Sequence, residues 1–236
     1  MLHPAGYVLV VPVGYGPRAF PFPAKPMRVS AFIDGFNLYH ALDGPGRHHL
    51  KWLDLRRLCL EFAPPPQQTL GSVYYFSAYA TWRPGAYARH RAFVAALEAT
   101  GAQPVMGVFK AKDRSCRACG STWTDHEEKE TDVNIALHLL RDAQLDRFDR
   151  ALIISGDSDL APAVRMILAL FPGKSVRVLA PYGREYSMDL VNAAGGISNA
   201  RKMKLIHVER SLLPEHVLAS DGRVIAIRPE KYRPPV

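Results

Sequence analysis

Short acidic segments follow two apolar runs of the sequence and contain residue types that bind divalent metal ions. Asp34–Asn37 comes directly after the run Val29–Ile33, and Ser155–Asp159 comes directly after Ala151–Ile154. If both runs are parallel strands, these segments lie at the same edge of a sheet, where open α/β folds bind their ligands. Asp132, in the expected first turn of a helix, can point to that edge as well.

Asp34, Asp132 and Asp157 are therefore expected to converge on one metal ion. Like charges within a few ångströms raise one another's pKa unless a cation neutralises them. Ligation by oxygen alone favours Mg²⁺ or Mn²⁺ over zinc. A metal held in this way can orient a phosphodiester, activate water and neutralise the leaving oxygen. Any one of these acids could simply belong to an ordinary turn or interact with a helix dipole. The prediction of a metal site therefore depends on all three occurring together.

The composition favours a folded protein with an anionic partner. The 236 residues include 30 Lys and Arg against 22 Asp and Glu, and 48% are hydrophobic, which argues against global disorder. No apolar run approaches the roughly 18–20 residues that cross a bilayer, so no membrane partner is expected. The three cysteines are too few for a disulfide framework, which makes the reducing cytoplasm the expected compartment.

A mixture of basic and aromatic residues marks an expected RNA-binding stretch. It contains Trp82, Arg83, Tyr87, Arg89 and Arg91, with further cations in Lys110–Arg117. Such residues can pair with phosphates and stack on unpaired bases, which suits single-stranded RNA. The alternative is that Tyr87 belongs to the core and the cations are ordinary solvated surface. Lys129 could hold a substrate phosphate beside the metal, or could be a solvated lysine among acids.

Cys116 and Cys119 have the spacing of half a structural zinc site. His126 could supply a third ligand, and Cys59 or a second subunit the fourth, which would make the protein a homodimer. The alternatives are a reduced pair that packs a loop, or a redox couple. Zinc here would have a structural role, separate from the metal at the acids.

Strand-like and helical patterns alternate from Met27 onward. Strands are expected at Val29–Ile33, Val73–Tyr79, Val105–Phe109, Ala151–Ile154 and Val176–Leu179. Helices are expected at Leu55–Phe62 after Asp54, at Tyr87–Ala99, from a Thr131 cap through Leu140, and at Leu160–Leu170. This alternation predicts an α/β fold with a mainly parallel central sheet and helices on both faces.

The chain is expected to hold one domain with an extension at each end. Residues 1–26 contain no acid and several prolines and glycines, so they are expected to form a disordered extension, and the domain is expected to span residues 27–212. Residues 213–236 form the expected tail. Asp221 and Gly222 lie between apolar residues and favour a hairpin there, and the polar, proline-bearing end is expected at the surface.

Three segments resemble the signatures of the bacterial NYN domain, which has a PIN-like nuclease fold. They are Phe32–Tyr39, Glu127–Ala136 and Ile154–Leu160, they occur in the same order with similar spacing, and the resemblance covers about Arg28 to Ile206. It implies a single PIN-like domain that acts as a metal-dependent ribonuclease.

The resemblance also implies a role for particular residues. Asp34, Asp132, Asp157 and Asp159 would surround Mg²⁺, with Asn37 and Ser155 as supporting polar groups. The reaction would be endonucleolytic hydrolysis of RNA. The chief alternative is a non-enzymatic RNA-binding or regulatory module that keeps the acids for a metal or a partner.

Overall fold

The computed structural model describes residues 25–235, and strand β1 (Met27–Asp34) lies at the centre of its main sheet. Residues 29–34 are all buried, which is typical of a strand covered on both faces. β1 pairs in parallel with β2 (Gln68–Ala78) on one side and with β5 (Arg150–Ile154) on the other. The other strands of this sheet are β3 (Gln103–Ser115), β4 (Thr122–Lys129), β6 (Ser175–Ala180) and β7 (Ala200–Lys202).

The strand order makes the boundary between β1 and β5 the point where the chain reverses its direction of travel across the sheet. Within the described residues, seven strands form the sheet in the order β4-β3-β2-β1-β5-β6-β7. The pairs are parallel except that β4 runs antiparallel to β3. Ligands of open α/β sheets bind in the crevice at such a switch point. The predicted α/β class with a mainly parallel sheet is confirmed.

Helices cover both faces of the sheet, as the alternation predicts. They are α1 (Gly35–Ala41), α2 (Leu55–Leu60), α3 (Pro84–Ala99), α4 (Thr131–Gln144), α5 (Ala161–Leu170), α6 (Met188–Ala193) and α7 (Leu205–Arg210). Ile33 of β1 faces the core formed with α1, α2, α3 and α7, and its neighbour Phe32 faces the core formed with α4, α5 and α6. Between residues 25 and 235, no helix has the length and apolar character needed to cross a membrane.

The acidic segment around Glu127 lies on strand β4, which is not among the strands expected from the sequence. Lys110 faces Glu127 and Lys112 faces Asp125 across the β3–β4 hairpin, so opposite charges stabilise the antiparallel pairing. The predicted Thr131 cap is also wrong. Glu130, in a left-handed conformation at φ 80°, occupies the cap position. Thr131 is the first helical residue and donates its N–H and its hydroxyl to the Glu128 carboxylate.

The C-terminal segment packs on the domain. Strands β8 (His216–Leu218) and β9 (Val224–Ile227) form an antiparallel hairpin that lies against α3. The indole N–H of Trp52 donates to the Pro214 carbonyl at 2.8 Å, and Tyr232 is only 5% exposed. The expected surface position of this end is therefore wrong at Tyr232, because its ring completes an apolar cluster with Trp52. The predicted extension lies outside the described residues, apart from its last two.

Candidate active site

Gly35 fixes the direction in which α1 leaves strand β1. A Cβ atom at this position would lie 2.6 Å from both the Phe76 carbonyl oxygen and the Tyr75 ring, so any larger residue would push α1 away from β2. The helix therefore begins directly after Asp34. This close packing holds the Asp34 carboxylate at the carboxyl end of the central strand.

The Asp34 carboxylate is buried and held by neighbours from two motifs. One oxygen, Oδ1, accepts the Asn37 backbone N–H at 2.9 Å. The other, Oδ2, accepts the Asn37 side-chain amide at 2.6 Å and the Ser155 hydroxyl at 2.9 Å. The Asn37 amide oxygen also accepts the Gly156 N–H at 3.1 Å, and the Ser155 hydroxyl oxygen accepts the Asp157 N–H at 3.0 Å. Asn37 and Ser155 thus orient Asp34 and join the ends of β1 and β5.

Three carboxylates meet at this edge of the sheet. Oxygens of Asp34, Asp132 and Asp157 all lie within 4.8 Å of one another, with Asp132 contributed by the first turn of α4. Asp159 is not part of this cluster among the described residues, although its backbone N–H donates to Asp157 Oδ1 at 2.9 Å. The structure therefore brings together three of the four acids suggested by the sequence and leaves Asp159 beside them.

The electrostatics of the cluster favour a bound cation. Burial, together with the nearby charges of Asp157, Asp34, Glu128 and Asp159, raises the pKa of Asp132 to about 6. Burial also raises the pKa of Asp34, against the opposing effect of its hydrogen bonds from Asn37 and Ser155. A divalent cation would remove this repulsion. The carboxylate donor set fits Mg²⁺ or Mn²⁺, since both prefer oxygen ligands.

Lys129, the last residue of β4, contacts an acid outside this cluster. Its ammonium group is 3.0 Å from the Glu127 carboxylate, which also pairs with Lys112 and with Arg114. A phosphate contact by Lys129 stays a prediction, since the side chain would have to exchange Glu127 for the substrate.

The cysteine pair lies at the tip of the β3–β4 hairpin. Cys119 Sγ is 3.1 Å from the Ser121 hydroxyl. This hydrogen bond makes the largest contribution to lowering the pKa of Cys119 to about 7. Cys59 is fully buried in the core and unsuited as a shared ligand. His126 lies opposite Ala111 of β3, and Ala111 is four residues before Ser115, the neighbour of Cys116. Four strand residues span about 13 Å, so His126 is that far along the hairpin from the cysteines. Within residues 25–235 the two thiols belong to no complete metal-binding group, so zinc there stays a prediction that needs further ligands.

A cavity of about 720 Å³ opens beside the acidic cluster. Its lining includes Gly35, Phe36, Trp82, Arg83, Arg89, His90, Phe109, His126, Glu128 and Tyr232. Arg83 and Arg89 thus face a cavity, whereas the Arg91 guanidinium lies 5.7 Å from the centre of the Tyr87 ring. Sequence reasoning identified Trp82 and the arginines. It missed Phe36, Phe109 and Tyr232, because they lie far apart along the chain and have no motif in common.

The mainly parallel sheet, with clustered carboxylates at its switch point, defines a PIN-like domain. A family model described as the NYN domain matches residues 28–198, and the chain belongs to the NYN domain family. Domains of this family have a PIN-like nuclease fold and are generally nucleases, which supports a hydrolase role for this chain.

Two similar proteins extend the comparison. The chain is 26% identical to 6-hydroxy-3-succinoylpyridine 3-monooxygenase HspA of Pseudomonas putida (strain DSM 28022 / S16), over an alignment that covers 89% of this chain and 76% of that protein. The crystal structure of VPA0982, a protein of unknown function from Vibrio parahaemolyticus RIMD 2210633, superposes with a TM-score of 0.50 at 20% identity. That superposition covers 80% of this chain and 98% of the Vibrio chain, and shows a shared fold.

Proposed function

We propose that this protein is an endoribonuclease that uses Mg²⁺ or Mn²⁺ to hydrolyse phosphodiester bonds of single-stranded RNA. The observation that supports this most strongly is the cluster of Asp34, Asp132 and Asp157, within 4.8 Å at the switch point of an NYN domain. A nuclease needs such an uncompensated negative site for the metal and cations nearby for the phosphate backbone.

The three clustered aspartates would hold the ion, and Asp159 would support it from the adjacent turn. When bound, the metal supplies water activation and neutralises charge on the leaving oxygen. Asn37 and Ser155 keep the Asp34 carboxylate in one orientation by donating three hydrogen bonds to it. Lys129 and the arginines of the Trp82–Arg91 stretch would position the RNA backbone, so the protein requires no nucleophilic side chain.

The decisive experiment compares cleavage of labelled single-stranded RNA with Mg²⁺, with Mn²⁺ and with chelator. Asp34→Asn, Asp132→Asn and Asp157→Asn should each lower the rate by about a hundredfold or more, since each removes a ligand charge worth several kcal/mol. Asp146→Asn is the matched control, because it makes the same chemical change in an acid that pairs with Arg28 and Lys174.

Two results would contradict the proposal in different ways. Cleavage that is equal with and without chelator would exclude the metal mechanism. RNA binding by the wild type without chelator-sensitive cleavage would favour the non-catalytic RNA-binding or regulatory module.

The RNA-binding stretch has its own test. Replacing Arg83, Arg89 and Arg91 together with Gln should weaken RNA binding and reduce the slope of log affinity against log salt by about one for each lost phosphate contact. Cleavage at saturating RNA should continue, because these residues lie outside the acidic cluster. Unchanged affinity and salt slope would move the RNA path to Lys110–Arg117.

A second candidate function comes from the Pseudomonas relative, whose name describes a monooxygenase that acts on a pyridine. The 720 Å³ cavity beside the acids, lined by aromatic rings, is the observation that favours it. We place this function second because the non-haem iron oxygenases use two histidines and one carboxylate, whereas this cluster contains three carboxylates. Oxygen uptake with 6-hydroxy-3-succinoylpyridine and a reduced nicotinamide would test it.

A further inference from the structure

The large cavity is lined by residues that neighbour the acidic cluster. Gly35, the residue after Asp34, forms part of its wall, and so does Glu128, whose carboxylate accepts the Thr131 N–H at the start of α4. From there the cavity extends between α1, α3 and the β3–β4 hairpin. A molecule bound in it would therefore have one end next to the proposed metal ligands.

Aromatic rings from separate elements line the cavity. Phe109 of β3 contacts Phe36 of α1 and Trp82 edge to face, with ring centres 5.5 Å and 4.7 Å apart. Trp82 in turn stacks on His126 of β4, with ring centres 3.7 Å apart and planes within 10°. These contacts join the loop before α3 to the hairpin, so the rings form a fixed surface.

The cavity is also lined by neutral polar groups. The Tyr75 hydroxyl and His90 Nε2 are 3.1 Å apart, and the buried Ser77 also lines this region. Burial lowers the pKa of His90 to about 4, so its ring is neutral at pH 7. Tyr232 of the C-terminal segment lies in the same wall, which makes that segment part of the cavity.

Cations lie at the same cavity. Lys51 is almost fully buried, 3.5 Å above the Tyr39 ring and 2.6 Å from the Asp43 carboxylate. Arg83 and Arg89 add two guanidinium groups. Aromatic faces, neutral hydrogen-bonding groups and cations match the parts of a nucleotide: the face of the base, its edge and its phosphate. The volume lies within the roughly 300–1,000 Å³ of small-ligand pockets.

We propose that this cavity is a base-binding subsite that takes one unpaired nucleotide of the RNA beside the bond to be cut. The proposal rests on the proposed nuclease function. A base within a duplex is stacked and paired, so it would have to leave the helix to enter. The subsite would therefore select single-stranded over double-stranded RNA.

Binding of mononucleotides without metal tests the cavity apart from cleavage. Adenosine and uridine 5′-monophosphate, added in the presence of chelator, should quench the fluorescence of Trp82. The quenching should persist in Trp123→Phe, which removes an exposed indole on β4. Calorimetry should show near-wild-type affinity for Trp82→Phe and about tenfold weaker binding for Trp82→Ala, because an aromatic face is what the base requires.

A filling substitution gives a second, independent test. Ala86→Phe places a ring in the cavity, and Ala88→Phe makes the same change two residues away on the exposed side of α3. Only Ala86→Phe should lose mononucleotide binding. Circular dichroism checks the fold of both variants, and Trp82→Ala still tests the proposal if Ala86→Phe does not fold. Wild-type nucleotide affinity in both Ala86→Phe and Trp82→Ala would overturn it.

Cleavage kinetics separate failure of the subsite from failure of the nuclease. Trp82→Ala should raise KM for single-stranded RNA about tenfold with little change in kcat. An unchanged KM in an enzyme that cuts RNA would overturn the subsite and leave the nuclease intact. Nucleotide binding that follows the expected pattern in a wild type that does not cut RNA would support the subsite and contradict the nuclease. Nicotinate, a pyridine, tests the second candidate function at the same cavity. Tighter binding of nicotinate than of either mononucleotide would also overturn the subsite.

Discussion

Helix α4 has a carboxylate near each end, and the two have opposite surroundings. Asp142, in the last turn, has a fully buried side chain, but it accepts hydrogen bonds from Tyr74 at 2.8 Å, Arg141 at 2.8 Å and Arg147 at 3.3 Å. Asp132, in the first turn, lies among other acids. Two aspartates of one helix thus have opposite electrostatic surroundings: the charge of Asp142 is neutralised, and the charge of Asp132 is left uncompensated.

The contrast extends to the ends of β1 and β5. At their amino ends, Arg28 pairs with Asp149 at 2.6 Å and with Asp146 at 2.9 Å, and Lys174 pairs with Asp146 at 2.8 Å. At their carboxyl ends the acids meet one another. Folding alone gains nothing from like charges in close contact, so the carboxyl edge is the one shaped for a cation.

The largest stability effect should come from the compensated end of α4. Asp142→Ala leaves the buried Tyr74 hydroxyl without its acceptor and removes the partner of Arg141 and Arg147. We expect the free energy of unfolding to fall by about 3 kcal/mol. This is near the lower end of the cost of breaking a buried ion pair, because both arginines can turn their guanidinium groups to water. Thermal unfolding should show a melting temperature lower by about 6–12 °C. A change of less than 2 °C would mean that this network contributes little.

The next largest effect should be stabilisation of the uncompensated end by metal. Mg²⁺ or Mn²⁺ at about one hundred times its Kd should add about 2.7 kcal/mol to the free energy of unfolding. Asp132→Asn should lose most of this gain, since one ligand charge is missing. Equal shifts in the wild type and in Asp132→Asn would place the bound ion elsewhere.

Without metal, Asp132→Asn should have the opposite effect and raise stability. The folded-state pKa of Asp132, about 6, lies above its ordinary value of 3.8, so ionisation destabilises the fold fully above pH 6 and not below pH 4. Because water screens this partly exposed group, we expect a gain of about 1 kcal/mol at pH 7.5. Melting curves in chelator at pH 7.5 and pH 4 test this, and a gain of equal size at both would exclude the charge as its cause.

The acidic cluster could be predicted from sequence because local rules place its members. Asp34 and Asp157 directly follow buried runs, and parallel strands bring their carboxyl ends to one edge. Strand β4 could not be predicted in this way, because it pairs only with β3 and its charged residues show no apolar period. The large cavity could not be predicted from the sequence either. Phe36 and Tyr232 line the same cavity only through tertiary packing, which no local pattern encodes.

The smallest expected effect belongs to the exposed pair at the amino edge. Lys174 and then Arg28 lower the pKa of Asp146 to about 2 through hydrogen bonds, so this acid stabilises the fold above its ordinary pKa of 3.8, and the effect fades as pH falls toward 2. Asp146→Asn should therefore lower the melting temperature slightly at pH 7.5 and by less at pH 2.5, the reverse of the direction for Asp132→Asn. The backbone at Asp146 is left-handed, at φ 50°, a conformation that Asn adopts readily, so the substitution changes the charge and leaves the turn intact. The pair is also solvent-exposed, so 1 M salt should reduce the difference further. If Asp146→Asn instead raised the melting temperature in chelator as Asp132→Asn does, the two edges would not differ in charge compensation, and the assignment of the carboxyl edge to a cation would lose its electrostatic basis.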